Sequence, residues 1–441
     1  MKKSAKIISI TLILALIFSF SAFAKNPVSA PEEFVNNAES VFSDTGKISL
    51  TPGTDSSSVN FSWMSHSFDS FRYSAFADMS NAVTADVVSV RTPLIAYVVN
   101  RVSLTNLTAG TYYYEYTFDG KTQKARPFTI KDDKDFEIAF VSDAQIGRSG
   151  DNSDEAMLDD AYGWERTVNS ITEKTNSAFI LSAGDQVNVA VNKKQYNAFL
   201  NPENLKSIPI AAAVGNHEMY SQFFPYHFYN PNITDGDALT FGGNDYYFSY
   251  SDVLFIVLNT NNFLKEDHEY TLNRAVSAYP NASARIIMMH QSAYSIQPDA
   301  FDNKANYISL PSLFEKYGID LVLSGHDHIH ARTAPINGVT YFESGNASGC
   351  NYCHEDEIPD YIENYLFMEE PTYSVLSFDD EKITVTTYGT DTDIVYDTFT
   401  VIKNTENKTV PEYEQSVLYA PFFAFVKRLL AFINTFFHIF K

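Results

Sequence analysis

Apolar positions follow two rhythms along the chain. Between residues 46 and 131 they come in short runs, Val59 to Met64, Ala96 to Leu104 and Thr111 to Phe118, broken by Pro52-Gly53, Asn106, Gly110 and Asp119-Gly120. This spacing predicts strands joined by tight turns, and no helical period competes with it. A β-sandwich is expected. From Phe136 onward, continuous apolar runs alternate with helix-like segments, the pattern of βαβ units with at least partly parallel sheets. Five runs end in chemistry-bearing residues. Glu137 to Val141 leads into Ser142-Asp143, Phe179 to Ala183 into Gly184-Asp185, and Ile208 to Val214 into Gly215-Asn216-His217. Arg285 to Met289 leads into His290, and Leu321 to Ser324 into Gly325-His326-Asp327-His328. Residues at the carboxyl ends of sheet strands converge on one crevice. Tyr246 to Tyr250 and Val253 to Leu258 read as a further strand pair, followed by a helix around Glu266 to Ala278. Val339 to Phe342, Tyr373 to Phe378, Ile383 to Tyr388 and Ile394 to Val401 read as strands that complete a second sheet, and His354 to Tyr365 as an acidic loop. The fold class is α+β to α/β: an N-terminal β-sandwich followed by a two-sheet βαβ domain.

Both ends of the chain are unusual. Residues 1–24 carry Lys2, Lys3 and Lys6, an apolar run from Ile7 to Phe20, and Ala22-Phe23-Ala24. This is the pattern of a cleaved signal peptide, so a secreted, extracellular protein is expected. Residues 416–441 form an apolar segment in which Ala424, Lys427, Arg428, Ala431, Asn434, Thr435, His438 and Lys441 fall on one helical stripe. Lys427 and Arg428 in its middle disfavour a spanning helix. Contact with a membrane surface and packing against the protein's own core both fit an amphipathic helix of this kind.

Composition narrows the function classes. Of 441 residues, 31 are Lys or Arg and 54 Asp or Glu, a net charge of −23 that argues against binding a nucleic-acid backbone by bulk electrostatics. Phosphate can still be reached through metal ions. The two cysteines, Cys350 and Cys353, rule out a disulfide scaffold. In Cys350-Asn351-Tyr352-Cys353-His354 they match a haem-attachment pattern, although a local disulfide suits an oxidising compartment better.

Asp143, Asp185, Asn216, His290, His326 and His328 offer carboxylate, amide and imidazole donors and no thiolate, a set suited to divalent Zn, Mn or Fe. Their number points to two ions, which at a separation of about 3.5–4 Å can clamp a phosphoryl group and hold a hydroxide as nucleophile. Asp185 fits a bridging carboxylate. His326 and His328, two positions apart, share one side of an extended segment and can serve neighbouring ions. Any one such Asp is more often a turn residue or helix cap, so the weight rests on the ordered series. His227, His268 and His330 fall outside it and read as surface or packing histidines.

That series, Asp143, Gly184-Asp185, Gly215-Asn216-His217-Glu218, His290 and Gly325-His326-Asp327-His328, resembles the calcineurin-like metallophosphoesterase family. Together with the N-terminal β domain, it is most similar to the purple acid phosphatases. The stretch LTNLTAGTYYYEYTF is similar to strands of fibronectin type III domains. The resemblance implies a fibronectin type III-like domain over 46–131 and a metallophosphoesterase domain over 134–402. It also implies one metal on Asp143, Asp185 and His328, and a second on Asp185, Asn216, His290 and His326. His217 would stand outside the metal shell, stabilising phosphate or protonating the leaving oxygen.

Three departures matter. Asn188 stands where purple members have an iron-binding tyrosine, and the first motif reads Asp143-Ala144-Gln145. Gln145 or Asn188 could complete the first metal's shell, as could water. A histidine pair that plant members carry after the His290 position is replaced by Ser295, Ile296, Gln297, Pro298 and Asp299, so leaving-group preference does not carry over. The expected activity is hydrolysis of phosphate monoesters by a metal-held hydroxide. A phosphodiesterase or nucleotidase on the same site, and a non-catalytic surface binding protein, are the alternatives.

Overall fold

The computed structural model describes residues 29–413 except 93–95, 132–133, 151–152, 237–240, 350–356 and 405–407. The expected signal peptide over 1–24, the expected helix over 416–441 and the Cys350/Cys353 pair lie outside the described residues. Among those described, no helix is long and apolar enough to cross a membrane.

Two short helices, Glu32–Asn36 and Ala38–Phe42, precede the β region. Ile48–Pro52, Val59–Ser65, Val98–Leu104 and Val88–Arg91 form one antiparallel sheet in that order. Phe71–Ser74 and Gly110–Phe118 form the centre of another, with Val83–Ala85, Lys121–Thr122 and Arg126–Ile130 around them. Period-two alternation in Gly110–Phe118 buries Tyr114, Tyr116 and Phe118. They meet Phe61, Trp63, Phe71 and Phe128 in one aromatic core. This two-sheet unit rests on the segments on either side of strand Ile210–Ala212: Tyr114 Oη donates to Lys206 O (2.9 Å), Ser62 Oγ to Tyr226 O (2.9 Å) and Thr51 Oγ1 to Tyr229 O (2.7 Å).

The remainder is a four-layer α/β/β/α body. Its first sheet has the order Ile210–Ala212, Ser177–Ser182, Phe136–Val141, Thr372–Phe378, Lys382–Gly389, Val395–Ile402. Its second has the order Tyr246–Tyr250, Val253–Val257, Ala284–Gln291, Leu321–Gly325, Thr340–Glu343, His330–Thr333, Ile362–Leu366. The ligand-bearing strands are parallel within each sheet. Phe140, Phe179, Phe248, Phe255, Ile286, Leu323 and Leu376 fill the space between the sheets. Outside the first sheet lies helix Asp154–Lys174, with Trp164, Val168 and Ile171 packed inward. Outside the second lie Lys265–Ala278 and Pro311–Lys316, burying Leu272, Val276 and Phe314. Because both faces of the sheets are covered, Ala284–Gln291 is buried at every position, which explains the apolar run Ile286 to Met289 within it.

Two details differ from the sequence reading. Thr372–Phe378 pairs antiparallel with Phe136–Val141, so the three C-terminal strands extend the first sheet and do not complete the second. The edge of Phe136–Val141 not paired with Ser177–Ser182 is otherwise open, and only a returning segment can satisfy its backbone groups. The stretch expected to be an acidic loop ends in a strand, Ile362–Leu366, paired with His330–Thr333. Its side chains alternate in exposure, as on a sheet edge, and its polar composition masked that period.

Candidate metal centre

All six ligand candidates sit at the ends of parallel strands, His290 as the penultimate residue of Ala284–Gln291 and the others in the segments that follow their strands. Asp143, Gln145, Asp185, His326 and His328 have φ of 53°, 35°, 49°, 82° and 55°. Left-handed conformations at non-glycine residues are costly and concentrate at functional sites, where the surrounding fold imposes them. Close packing fixes the crevice further. A methyl group on Gly215 would fall on Asp185 Oδ1, and one on Gly325 on Ser142 Oγ and Asp143, so both turns require glycine for lack of space.

One half of the crevice is built from Asp143, Gln145 and His328, all buried. Asp143 Oδ2 accepts from His326 N (2.9 Å), and Asp143 Oδ1 lies 3.4 Å from His328 Nε2. Asp143 Oδ1 and Gln145 Oε1 are buried without a hydrogen-bond partner among the described residues. Gln145 Nε2 reaches Asp185 Oδ2 at 3.5 Å. Burial works against ionisation of Asp143, yet His328 holds its carboxyl below the usual range.

The other half contains Asp185, Asn216, His290 and His326, and Asp185, His290 and His326 form a cluster of metal-binding geometry. His290 Nδ1 faces the Ala183 carbonyl at 2.8 Å. A carbonyl only accepts, so Nδ1 carries the proton and Nε2 is left bare. His326 Nε2 faces the Asp302 carboxylate at 3.3 Å, which in the same way leaves Nδ1 bare. The two bare nitrogens lie 3.3 Å apart, and Asn216 Oδ1 (2.9 Å) and Asp185 Oδ2 (3.2 Å) also point at His290 Nε2. Four electron-pair donors thus converge on one point, an arrangement that repels itself unless a cation stands among them. Without metal that cation is a proton. Burial opposes it, but Asp185, Asp143 and Glu218 prevail and raise the His290 pKa to about 10. The donor set therefore fits divalent metal on its own geometry, and Asp185 Oδ2, between Gln145 and His290, lies between the two halves.

His217 occupies the solvent side, its side chain 32% exposed. Its Nδ1 donates to the backbone carbonyl of Asn188 (2.7 Å), and its Nε2 stands 3.8 Å from Asp185 Oδ2. Asn188 orients His217 through its backbone oxygen. His227, His268 and His330 are buried in packing or polar pairs: His227 stacks on Tyr196, His268 pairs with Asp245 and His330 with Asp397.

Two carboxylates escaped the sequence reading. Glu218, fully buried, accepts from the backbone N–H of Asp185 (3.0 Å), Val187 (3.0 Å) and Gly215 (2.9 Å), tying the two metal-binding turns together. Burial and the nearby Asp185 raise its pKa to about 8. Its place in Gly215-Asn216-His217-Glu218 was the available signal. Glu218→Ala would leave three buried donors unpaired at about 1–3 kcal/mol each. We expect this variant to show a much lower denaturant midpoint than the parent, and an unchanged midpoint would refute the tie. The second is Asp302, on helix Phe301–Ser309, for which no motif existed.

The profile of the calcineurin-like phosphoesterase family matches residues 136–330. No curated protein matches the chain in sequence. Among solved structures, the purple acid phosphatase from yellow lupin (Lupinus luteus) seeds is similar at 16% identity and TM-score 0.66, over 84% of this chain and 77% of that one. PhoD is similar at 11% identity and TM-score 0.56, over 88% of this chain and 98% of its own. At these identities the two structures show a shared fold. With the family match over the ligand-bearing strands, residues 136–330 are a calcineurin-like phosphoesterase domain, and the protein is a hydrolase acting on phosphoric ester bonds.

Proposed function

We propose that the protein hydrolyses phosphate monoesters on a pair of divalent metal ions. The observation that carries this reading is the convergence of bare donors from Asp185, Asn216, His290 and His326 beside Asp143 Oδ1, which faces His328, and the buried, unpartnered Oε1 of Gln145. Asp143, Asp185 and His328 would hold one ion, and Asp185, Asn216, His290 and His326 the other. When bound, such a pair supplies Lewis acidity toward phosphoryl oxygens and lowers the pKa of attacking water.

The chain's own residues do the rest. Asp185 holds both halves in register, with Oδ1 fixed by His217 N at 3.0 Å and Oδ2 facing the crevice. His217, oriented by the Asn188 carbonyl, presents Nε2 on the open side, where a protonated ring can donate to phosphate or to the departing oxygen. The strands below, with Asp143, Asp185 and His290 buried at their ends, close the crevice from beneath.

The test is hydrolysis of p-nitrophenyl phosphate and bis(p-nitrophenyl) phosphate before chelation, after it, and after restoring Zn, Mn or Fe. Monoester turnover should vanish on chelation and return with metal. Turnover that persists after verified metal removal would overturn the proposal. Faster diester cleavage would favour the phosphodiesterase reading, and no cleavage by fully loaded protein would favour a binding protein. The loaded protein should also lack an intense visible band, because Asn188 provides no phenolate for ferric iron. A strong band abolished by replacing a tyrosine would show that another phenolate ligates the metal.

A further inference from the structure

We propose that Asp302 is a positioning residue that selects which nitrogen of His326 enters the metal cluster; the inference rests on the dinuclear reading above. The His326 ring spans two environments. Its Nε2 lies 3.3 Å from Asp302 Oδ2, and its Nδ1 lies 3.3 Å from His290 Nε2, inside the cluster. Imidazole has two tautomers: the one with Nδ1–H would put a proton where a metal ion would bind, while the Nε2–H form leaves a lone pair there. A carboxylate at Nε2 stabilises the second form and makes the ring a better donor.

Three further features hold Asp302 in this place. It is the second residue of helix Phe301–Ser309, and its Oδ1 accepts from Asn303 N (3.0 Å). Asn303 is in turn held by Ser295 Oγ (2.8 Å) and Asp327 Oδ1 (3.3 Å), the aspartate between the two site histidines. The preceding Phe301 packs edge-on against Phe263, ring centroids 5.8 Å apart. On the other side, His326 is pinned by its own N–H to Asp143 Oδ2. The contact is partly open, with side chains 20% and 25% exposed, and ion pairs in such settings add little to stability. Its consequence falls on the metal.

The experiment uses the full chain, stripped of metal and titrated with Zn²⁺ by calorimetry, as wild type, Asp302→Asn and Asp302→Glu. Asp302→Asn should weaken one of two binding events by roughly 10–100-fold and leave the other and the metal-free melting temperature unchanged. Asp302→Glu should recover part of the loss. In a His326→Ala background, Asp302→Asn should add no further loss. Histidine-selective ¹H–¹⁵N spectra of the folded metal-free protein should show Nε2–H at His326 in wild type and a shift away from it in Asp302→Asn. Wild-type affinity at both sites in Asp302→Asn, or a further loss in the His326→Ala background, would overturn the assignment. Wild-type protein that binds fewer than two Zn²⁺ would overturn the dinuclear reading itself, and this inference with it.

Discussion

Replacing Asp185 by Asn is expected to lower hydrolysis by about 10³-fold or more and to leave the protein short of metal. The carboxylate lies between the two halves of the crevice, and its neighbours are committed elsewhere: Gln145 reaches it only through an amide N–H, Glu218 is occupied by three backbone donors, and Asp143 is held by His326 N and His328. Its charge balances His290 and His217, which hold its pKa far below the usual carboxylate range despite burial. An amide of the same shape removes that charge, and losing a single preorganised electrostatic partner already costs about 10²–10³-fold in rate. Metal content by mass spectrometry, measured with the rate, checks the cause. A variant retaining both metals and near-normal turnover would remove Asp185 from the bridging role.

His217→Ala is expected to act differently. Its ring is tied to Asn188 O and reaches into the open side, outside the converging donors, so both metals should remain bound while the rate falls by roughly 10²–10⁴-fold. The loss should depend on substrate. A departing p-nitrophenolate hardly needs a proton, whereas an alkoxide does, so alkyl phosphates should suffer more than aryl phosphates. Equal losses for both would point to phosphate stabilisation over proton donation. Loss of metal would show that His217 is a ligand after all.

The six ligand candidates came from a local signal. Each lies at or just beyond the end of a short apolar run of strand length, and the ends of such strands gather at one edge of a sheet. The strand pair Tyr246–Tyr250 and Val253–Val257 and helix Lys265–Ala278 were readable for the same reason, since residue periodicity over one element identifies them. The partner of each strand was not. Glu137 and Ser377 are 240 positions apart yet hydrogen-bonded side by side, and nothing within either strand distinguishes that pairing from a place in the second sheet. Pairing is decided by which edges remain open once the core has closed. The same holds inside the crevice. Sequence shows that His290, His326 and His217 are imidazoles, but the nitrogen that each presents is set by Ala183 O, Asp302 and Asn188 O, groups brought alongside only by folding. A proton's position on a ring depends on its nearest acceptor in space, and that neighbour is a property of the packed chain.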